Sequence, residues 1–146
     1  MSPKVKDVMV RDVITVGAGA TVWEAVGLMN KHEIGCLVVM KRAKPVGIVT
    51  ERDMLKRVLA GLKDPEKVKV REIMSKPLVA VKPEMNIEDA AGIMLGRRIK
   101  KLPVVENGCL IGLVTLTDLV FSYYYKKTSQ RVKVMNYLEG MVTKHV

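Results

Sequence analysis

Two acidic residues carry the clearest chemical signal in the chain. Asp53 and Asp118 each follow a threonine by three positions, in Thr50-Glu51-Arg52-Asp53 and Thr115-Leu116-Thr117-Asp118. A carboxylate offers only acceptor oxygens, so one Asp can hold two neighbouring hydroxyl donors such as those of a ribose. Charge-assisted hydrogen bonds of that kind contribute about 1.5–3 kcal/mol each. Each threonine stands where an apolar, strand-like run gives way to a helix, and there its hydroxyl and the nearby amides can meet an anion. A purely structural reading stands beside this one. An acid in a first helical turn complements the helix dipole, and a threonine in front of it is a plain N-cap.

Other reactive residues form no comparable set. The only histidines are His32 and His145, and the only cysteines are Cys36 and Cys109. That leaves no zinc constellation, no CxxC and no disulfide framework. Both thiols fall in or beside strand-like runs and are expected to be buried. His32 lies four residues before Cys36, but a thiol–imidazole dyad also needs an orienting third group. His32 instead reads as a helix C-terminal residue.

The elements that must position these side chains occur twice. A shift of 65 residues aligns 5–60 with 70–125 without a gap, with identities that include Met9/Met74, Met29/Met94, Gly47/Gly112, Thr50/Thr115 and Asp53/Asp118. Such self-similarity marks two copies of one supersecondary unit. In each copy a short strand comes first, Asp12–Val16 and Pro77–Val81. Thr21 and Asn86 are N-cap candidates for helices with apolar residues at helical spacing. Strands over Leu37–Met40 and Leu102–Val105 follow. Turns at Arg42–Pro45 and Asn107-Gly108 lead to strands over Val46–Val49 and Leu110–Val114. Helices beginning near Thr50 and Thr115 close the copies. The expected order is strand, helix, strand, strand, helix, in an α+β fold. One copy exposes an apolar sheet face that two can bury together. The organisation reads as a first unit over 1–62, a charged connector over 63–69, a second unit over 70–126 and a tail over 127–146. Val134, Leu138, Met141 and Val142 give the tail amphipathic helical spacing.

Bulk composition agrees with a folded, non-membrane chain. Of the 146 residues, 49% are hydrophobic, enough for a core, yet no run approaches the roughly 20 apolar residues of a membrane helix. The first residues lack the apolar stretch of a secretory signal, so a cytoplasmic location is expected. A net charge of +10 favours anionic partners, although the basic residues are spread along the chain. Tyr123-Tyr124-Tyr125-Lys126-Lys127 has the composition of a nucleic-acid patch. Consecutive helical residues point about 100° apart, however, so the three rings cannot form one stacking surface and at least one belongs in the core. Trp23 aligns with Glu88, which suggests a contact or partial burial there.

Gly47-Ile48-Val49-Thr50-Glu51-Arg52-Asp53 and Gly112-Leu113-Val114-Thr115-Leu116-Thr117-Asp118 resemble the G-h-V-T-x-x-D signature of CBS domains. Lys100-Lys101-Leu102-Pro103-Val104-Val105 is similar to that family's second strand, and Val5–Met9 and Val70–Met74 are similar to its opening segment. The resemblance covers residues 5 to about 125. It implies a paired sandwich with approximate two-fold symmetry, known as a Bateman module, whose two clefts take AMP, ADP, ATP or S-adenosyl compounds. It also implies a homodimer, and a regulatory role toward a client protein in place of catalysis; no cofactor is required. By the same resemblance, Ile48 and Leu113 would pack on adenine. Lys100 and Lys101 would reach phosphates in the Asp53 cleft, and Arg52 those in the Asp118 cleft; Thr117, which aligns with Arg52, is counted among the ligand-binding candidates. Val38 stands where the family pattern has the proline seen at Pro103. An assembly module with vestigial clefts and, less favoured, a nucleic-acid-binding protein are the competing readings.

Overall fold

The computed structural model describes residues 3–127. The tail pattern expected beyond Lys127 lies outside the described residues. Each repeat opens with a single helical turn, α1 (Val5–Val8) and α4 (Val70–Ile73). In the first repeat, β1 (Thr15–Gly17) leads to α2 (Val22–His32), β2 (Cys36–Lys41), β3 (Lys44–Thr50) and α3 (Glu51–Met54), which continues as a π-helical turn over Leu55–Leu59. In the second, α5 (Ile87–Arg97) is followed by β4 (Lys101–Glu106), β5 (Cys109–Thr115) and α6 (Leu116–Lys127).

The expected hairpins form, with a sharper turn than expected in the first. Arg42 and Ala43 alone make that turn, at φ 51° and 63°, and Lys44 and Pro45 already belong to β3. Asn107 and Gly108 repeat the geometry at 51° and 78°. Positive φ at both central residues matches the twist of the flanking strands. Each hairpin carries one irregularity at the same place, between Val39 and Met40 and between Val104 and Val105.

The first strands are shorter than the sequence suggests. Asp12–Val16 contracts to Thr15–Gly17, which runs parallel to Val38–Met40. Ahead of it Val10 is bonded to Leu113 through both its amide and its carbonyl at 2.9 Å, and the chain then turns, with the Val13 amide donating to the Arg11 carbonyl at 3.1 Å. Pro77–Val81 forms no strand. Val81 alone bridges Val104; its amide donates to the Pro103 carbonyl at 3.0 Å, and Pro103 has no N–H to carry the parallel ladder on toward Val79. The sheets are therefore β1-β2-β3 and β4-β5.

Capping separates the two long helices. Thr21 caps α2 through a reciprocal pair, with its hydroxyl accepting from the Glu24 amide and Glu24 Oε2 accepting from the Thr21 amide, both at 3.1 Å. Asn86 occupies the N-cap of α5 without capping it; its Oδ1 accepts from Lys4 Nζ at 2.8 Å.

That last contact belongs to a larger exchange. The opening segment of each repeat is built into the core of the other. Val70 and Ile73 are buried among Val22, Leu37 and Val49. Val5 is buried among Ile87, Leu102 and Val114. Backbone bonds fix both insertions: Val70 N to Ala20 O at 2.8 Å in one, Val5 N to Met85 O at 2.8 Å in the other. β3 and β5 contact each other between the two cores.

Candidate functional site

Each threonine–acid pair sits where a strand enters a helix. Leu37, Val39 and Val49 anchor β2 and β3 in the first core, and Leu102, Val104 and Val114 do the same for β4 and β5. The strands thereby deliver Thr50 and Thr115 to equivalent places. Asp53 Oδ2 accepts from the Thr50 amide at 2.9 Å and from its hydroxyl at 3.1 Å, while the Asp53 amide donates back to Thr50 Oγ1 at 3.2 Å. In the second repeat, Asp118 Oδ2 accepts from the Thr115 amide at 2.9 Å, and the Asp118 amide donates to Thr115 Oγ1 at 3.1 Å. These are capping boxes, so the three-residue spacing has a local structural cause as well as a possible chemical one. In both pairs the bonds to Thr fall on one carboxylate oxygen. Asp53 is buried, at 8% exposure, and its other oxygen lies 4.0 Å from Arg57 Nε. Asp118 is only half-buried.

Ile48 and Leu113 are half-buried and held between two backbones. Ile48 pairs with Val38 on one side and Ser75 on the other; Leu113 pairs with Pro103 and Val10. Each threonine–acid motif is thus bordered by the opening segment of the opposite repeat. Gly47 and Gly112 permit the approach. A Cβ on Gly47 would stand 2.7 Å from Met74 Sδ and 2.9 Å from the Ser75 carbonyl, and one on Gly112 would stand 2.5 Å from Met9 Sδ.

The expected basic residues divide. Lys101 acts electrostatically on the Cys36 thiol of the first repeat. Burial pushes that thiol up from its ordinary value; the Lys101 ammonium pulls it down and the Glu51 carboxylate raises it further. Cys36 pairs with Thr50, the N-cap of α3, so the Lys101 charge is felt near the start of the helix that carries Asp53. Lys100 is exposed, and its carbonyl accepts the first amide of α6 from Leu116 at 2.8 Å. Arg52 and Thr117 are exposed too, and among the described residues no ion pair joins Arg52 to Asp118.

The remaining candidates resolve individually. Cys36 is buried as expected, whereas Cys109 is exposed because it directly follows the Asn107-Gly108 turn. His32 ends α2 and is exposed. Trp23 is exposed. Tyr123 and Tyr124 are both exposed and meet edge to face at 6.3 Å, so neither fills the core position expected of one of the three. The side chain of Tyr125 lies outside the description. Among the described residues no group of three or more His, Cys, Asp or Glu could hold a metal, and no helix is long and apolar enough to cross a membrane.

Sequence reasoning overlooked a group of residues that includes Arg57, the neighbour of Asp53. Arg57, Arg71, Ser75 and Lys76 gather around an open pocket. The i, i+4 spacing of Asp53 and Arg57 was a visible signal for one of them. The other three belong to the opposite repeat and had none.

The CBS domain profile matches residues 5–60 and 70–124. MK0525 of Methanopyrus kandleri is 39% identical over 82% of this chain and 62% of its own length. The CBS domain-containing protein YhcV of Bacillus subtilis is 38% identical over 79% of this chain and 81% of its own. The inosine-5'-monophosphate dehydrogenase of Methanocaldococcus jannaschii is 35% identical over 89% of this chain, but over only 25% of the dehydrogenase. Among solved structures, a signal-transduction protein with CBS domains from Burkholderia ambifaria superposes with a TM-score of 0.75, 33% identity and coverage of 81% and 87%. The hexameric CBS-CP12 protein from bloom-forming cyanobacteria gives 0.78, 33%, and 96% and 83%. The chain thus spans under two thirds of some relatives and most of others.

Proposed function

The chain belongs to the CBS domain family, and from that premise we propose that it is a regulatory module that binds an adenine nucleotide and acts on a partner protein without catalysing a reaction. One observation carries this reading. The Thr-x-x-Asp motif occurs twice, at equivalent strand-to-helix junctions, and each time one carboxylate oxygen is left outside the bonds to Thr. A half-buried aliphatic residue, Ile48 or Leu113, stands two positions before each threonine and suits the face of a base. The Lys101 charge, felt near the start of α3, supports an anionic ligand at the Asp53 end. AMP, ADP and ATP fit this chemistry better than an S-adenosyl compound, whose sulfonium is cationic. A match to only a quarter of a dehydrogenase supports a module that accompanies catalysis elsewhere. The similarity to a hexameric protein supports self-association, for which a homodimer is the simplest form.

Calorimetry with AMP, ADP, ATP and S-adenosylmethionine tests the proposal. Saturable binding of an adenine nucleotide, weakened roughly 10- to 100-fold by Asp53→Ala or Asp118→Ala, is the expected result. The capping boxes favour a second reading, in which Thr and Asp serve the helix alone and the module only assembles. Failure of all four compounds to bind would select it. Salt-steep binding of RNA or DNA alone would select the nucleic-acid reading instead.

A further inference from the structure

The hairpin of the first repeat ends in three cations. Lys41 closes β2, Arg42 sits in the two-residue turn and Lys44 opens β3, and all three are exposed. Lys41 and Lys44 stand directly opposite each other in the antiparallel register, and like charges so placed destabilise a strand pair. Among the described residues no ion pair offsets them. The turn adds a second local cost. Arg42 and Ala43 hold φ at 51° and 63°, a left-handed conformation that suits Gly or Asn and strains other residues.

The second repeat builds the same hairpin without either cost. Glu106, Asn107, Gly108 and Cys109 take the places of Lys41, Arg42, Ala43 and Lys44. Asn107 and Gly108 are residues that suit the positive φ. Charge is balanced there as well. Lys6 is bonded to Glu84 at 2.9 Å, and Glu84 first, then Asp7 and Glu106, hold the proton on its ammonium more tightly. In the first repeat Gly19 stands at the position of Glu84, and Lys41 at that of Glu106. The fold therefore requires neither the three charges nor an arginine in the turn. Residues that oppose local stability gather where a protein does its work. The tip is also remote from the Thr50–Asp53 motif: β3 separates them over Lys44–Thr50, about 20 Å at the rise of an extended strand.

We propose that this tip, formed by Lys41, Arg42 and Lys44, docks an acidic segment of the partner protein on which the module acts. Positive charge on an exposed turn steers an acidic partner and discriminates against basic ones. A surface for single-stranded nucleic acid combines its cations with stacking rings, and residues 40–46 contain no aromatic side chain. The docking point rests on the reading of the module as one that acts on another protein, and not on which nucleotide it binds.

Fluorescence anisotropy with a labelled oligo-glutamate peptide, at physiological ionic strength, tests the docking point on the full chain. The wild type should bind the peptide. Lys41→Gln with Arg42→Asn and Lys44→Gln should weaken binding roughly tenfold or more. A control that removes as much charge from exposed positions elsewhere, Lys31→Gln with Lys63→Gln and Lys67→Gln, should weaken it less than about twofold. The tip variant should also unfold at a higher urea concentration than the wild type, because it loses a like-charge pair and a strained arginine. A wild type that does not bind the peptide, or equal weakening by the two variants, overturns the proposal. So does a lower urea midpoint for the tip variant, which would show that the cations hold the hairpin. Duplex DNA or RNA that binds more tightly than the peptide, and is lost in the tip variant, overturns the choice of a protein partner. Calorimetry with AMP and ATP reports on the adenine reading separately, and the tip variant should bind both as the wild type does.

Discussion

The positive charge of Lys101 in one repeat acts on the Cys36 thiol of the other, and Cys36 pairs with Thr50 at the start of the helix that carries Asp53. Lys100 adds a second, exposed charge next to it. Each further phosphate on a nucleotide adds negative charge, so ATP should gain over AMP where these lysines reach. At an effective dielectric near 20, one close charge pair is worth about 4 kcal/mol before desolvation, and the net gain is smaller. Lys100→Ala with Lys101→Ala should narrow the ATP-over-AMP preference measured by calorimetry, and added salt should narrow it in the wild type. Adenosine binding should stay nearly unchanged. Equal losses for ATP and adenosine would show that the lysines hold the fold. The threonine–acid spacing was plain in the sequence, but its double meaning was not. A capping box and a hydroxyl-binding acid place the same residue types at the same interval, and only the bonding of individual oxygens separates them.

Among the elements, the long helices and the hairpins were legible because their signals are local: apolar periodicity, N-cap residues and the Asn107-Gly108 turn. The first strands were overread. Asp12–Val16 and Pro77–Val81 have strand-like composition, but the chain turns at Arg11–Val13, where the Val13 amide donates to the Arg11 carbonyl, and the strand facing Val81 has Pro103 where the ladder needs a donor. The exchange of opening segments was invisible, since nothing within Val5–Met9 or Val70–Met74 says which core receives it. Its trace was the paired identity of Met9/Met74 with Gly47/Gly112. These glycines are where the exchange can be probed. Gly47→Ala and Gly112→Ala force a Cβ against a methionine side chain and a backbone carbonyl, so each should cost on the order of 1–3 kcal/mol in urea unfolding. Gly27→Ala in α2 and Gly92→Ala in α5 meet open space and should instead stabilise by up to about 1 kcal/mol. Similar effects at all four sites would mean that the methionines yield without cost.

At the scale of the molecule, two cores share one set of crossed segments, and an apolar face remains outside them. Leu55 and Leu59 are exposed on the π-helical turn and Leu62, at 92%, in the turn that follows it, and Val120 is exposed at the position equivalent to Leu55. A face repeated by internal symmetry suits an isologous contact with a second copy. Sedimentation at micromolar concentration should therefore show a species heavier than the 16.3 kDa chain, and Leu55→Glu with Leu59→Glu should shift it toward monomer; a single 16.3 kDa species in the wild type would refute the dimer. The crossed segments also set an order of events on the ribosome. The first core requires Val70 and Ile73, so it stays open after its own strands and helices have been translated, until the start of the second repeat emerges. The second core receives its missing piece, Val5, from the first residues made, and needs to wait only for its own last helix to bring Leu119.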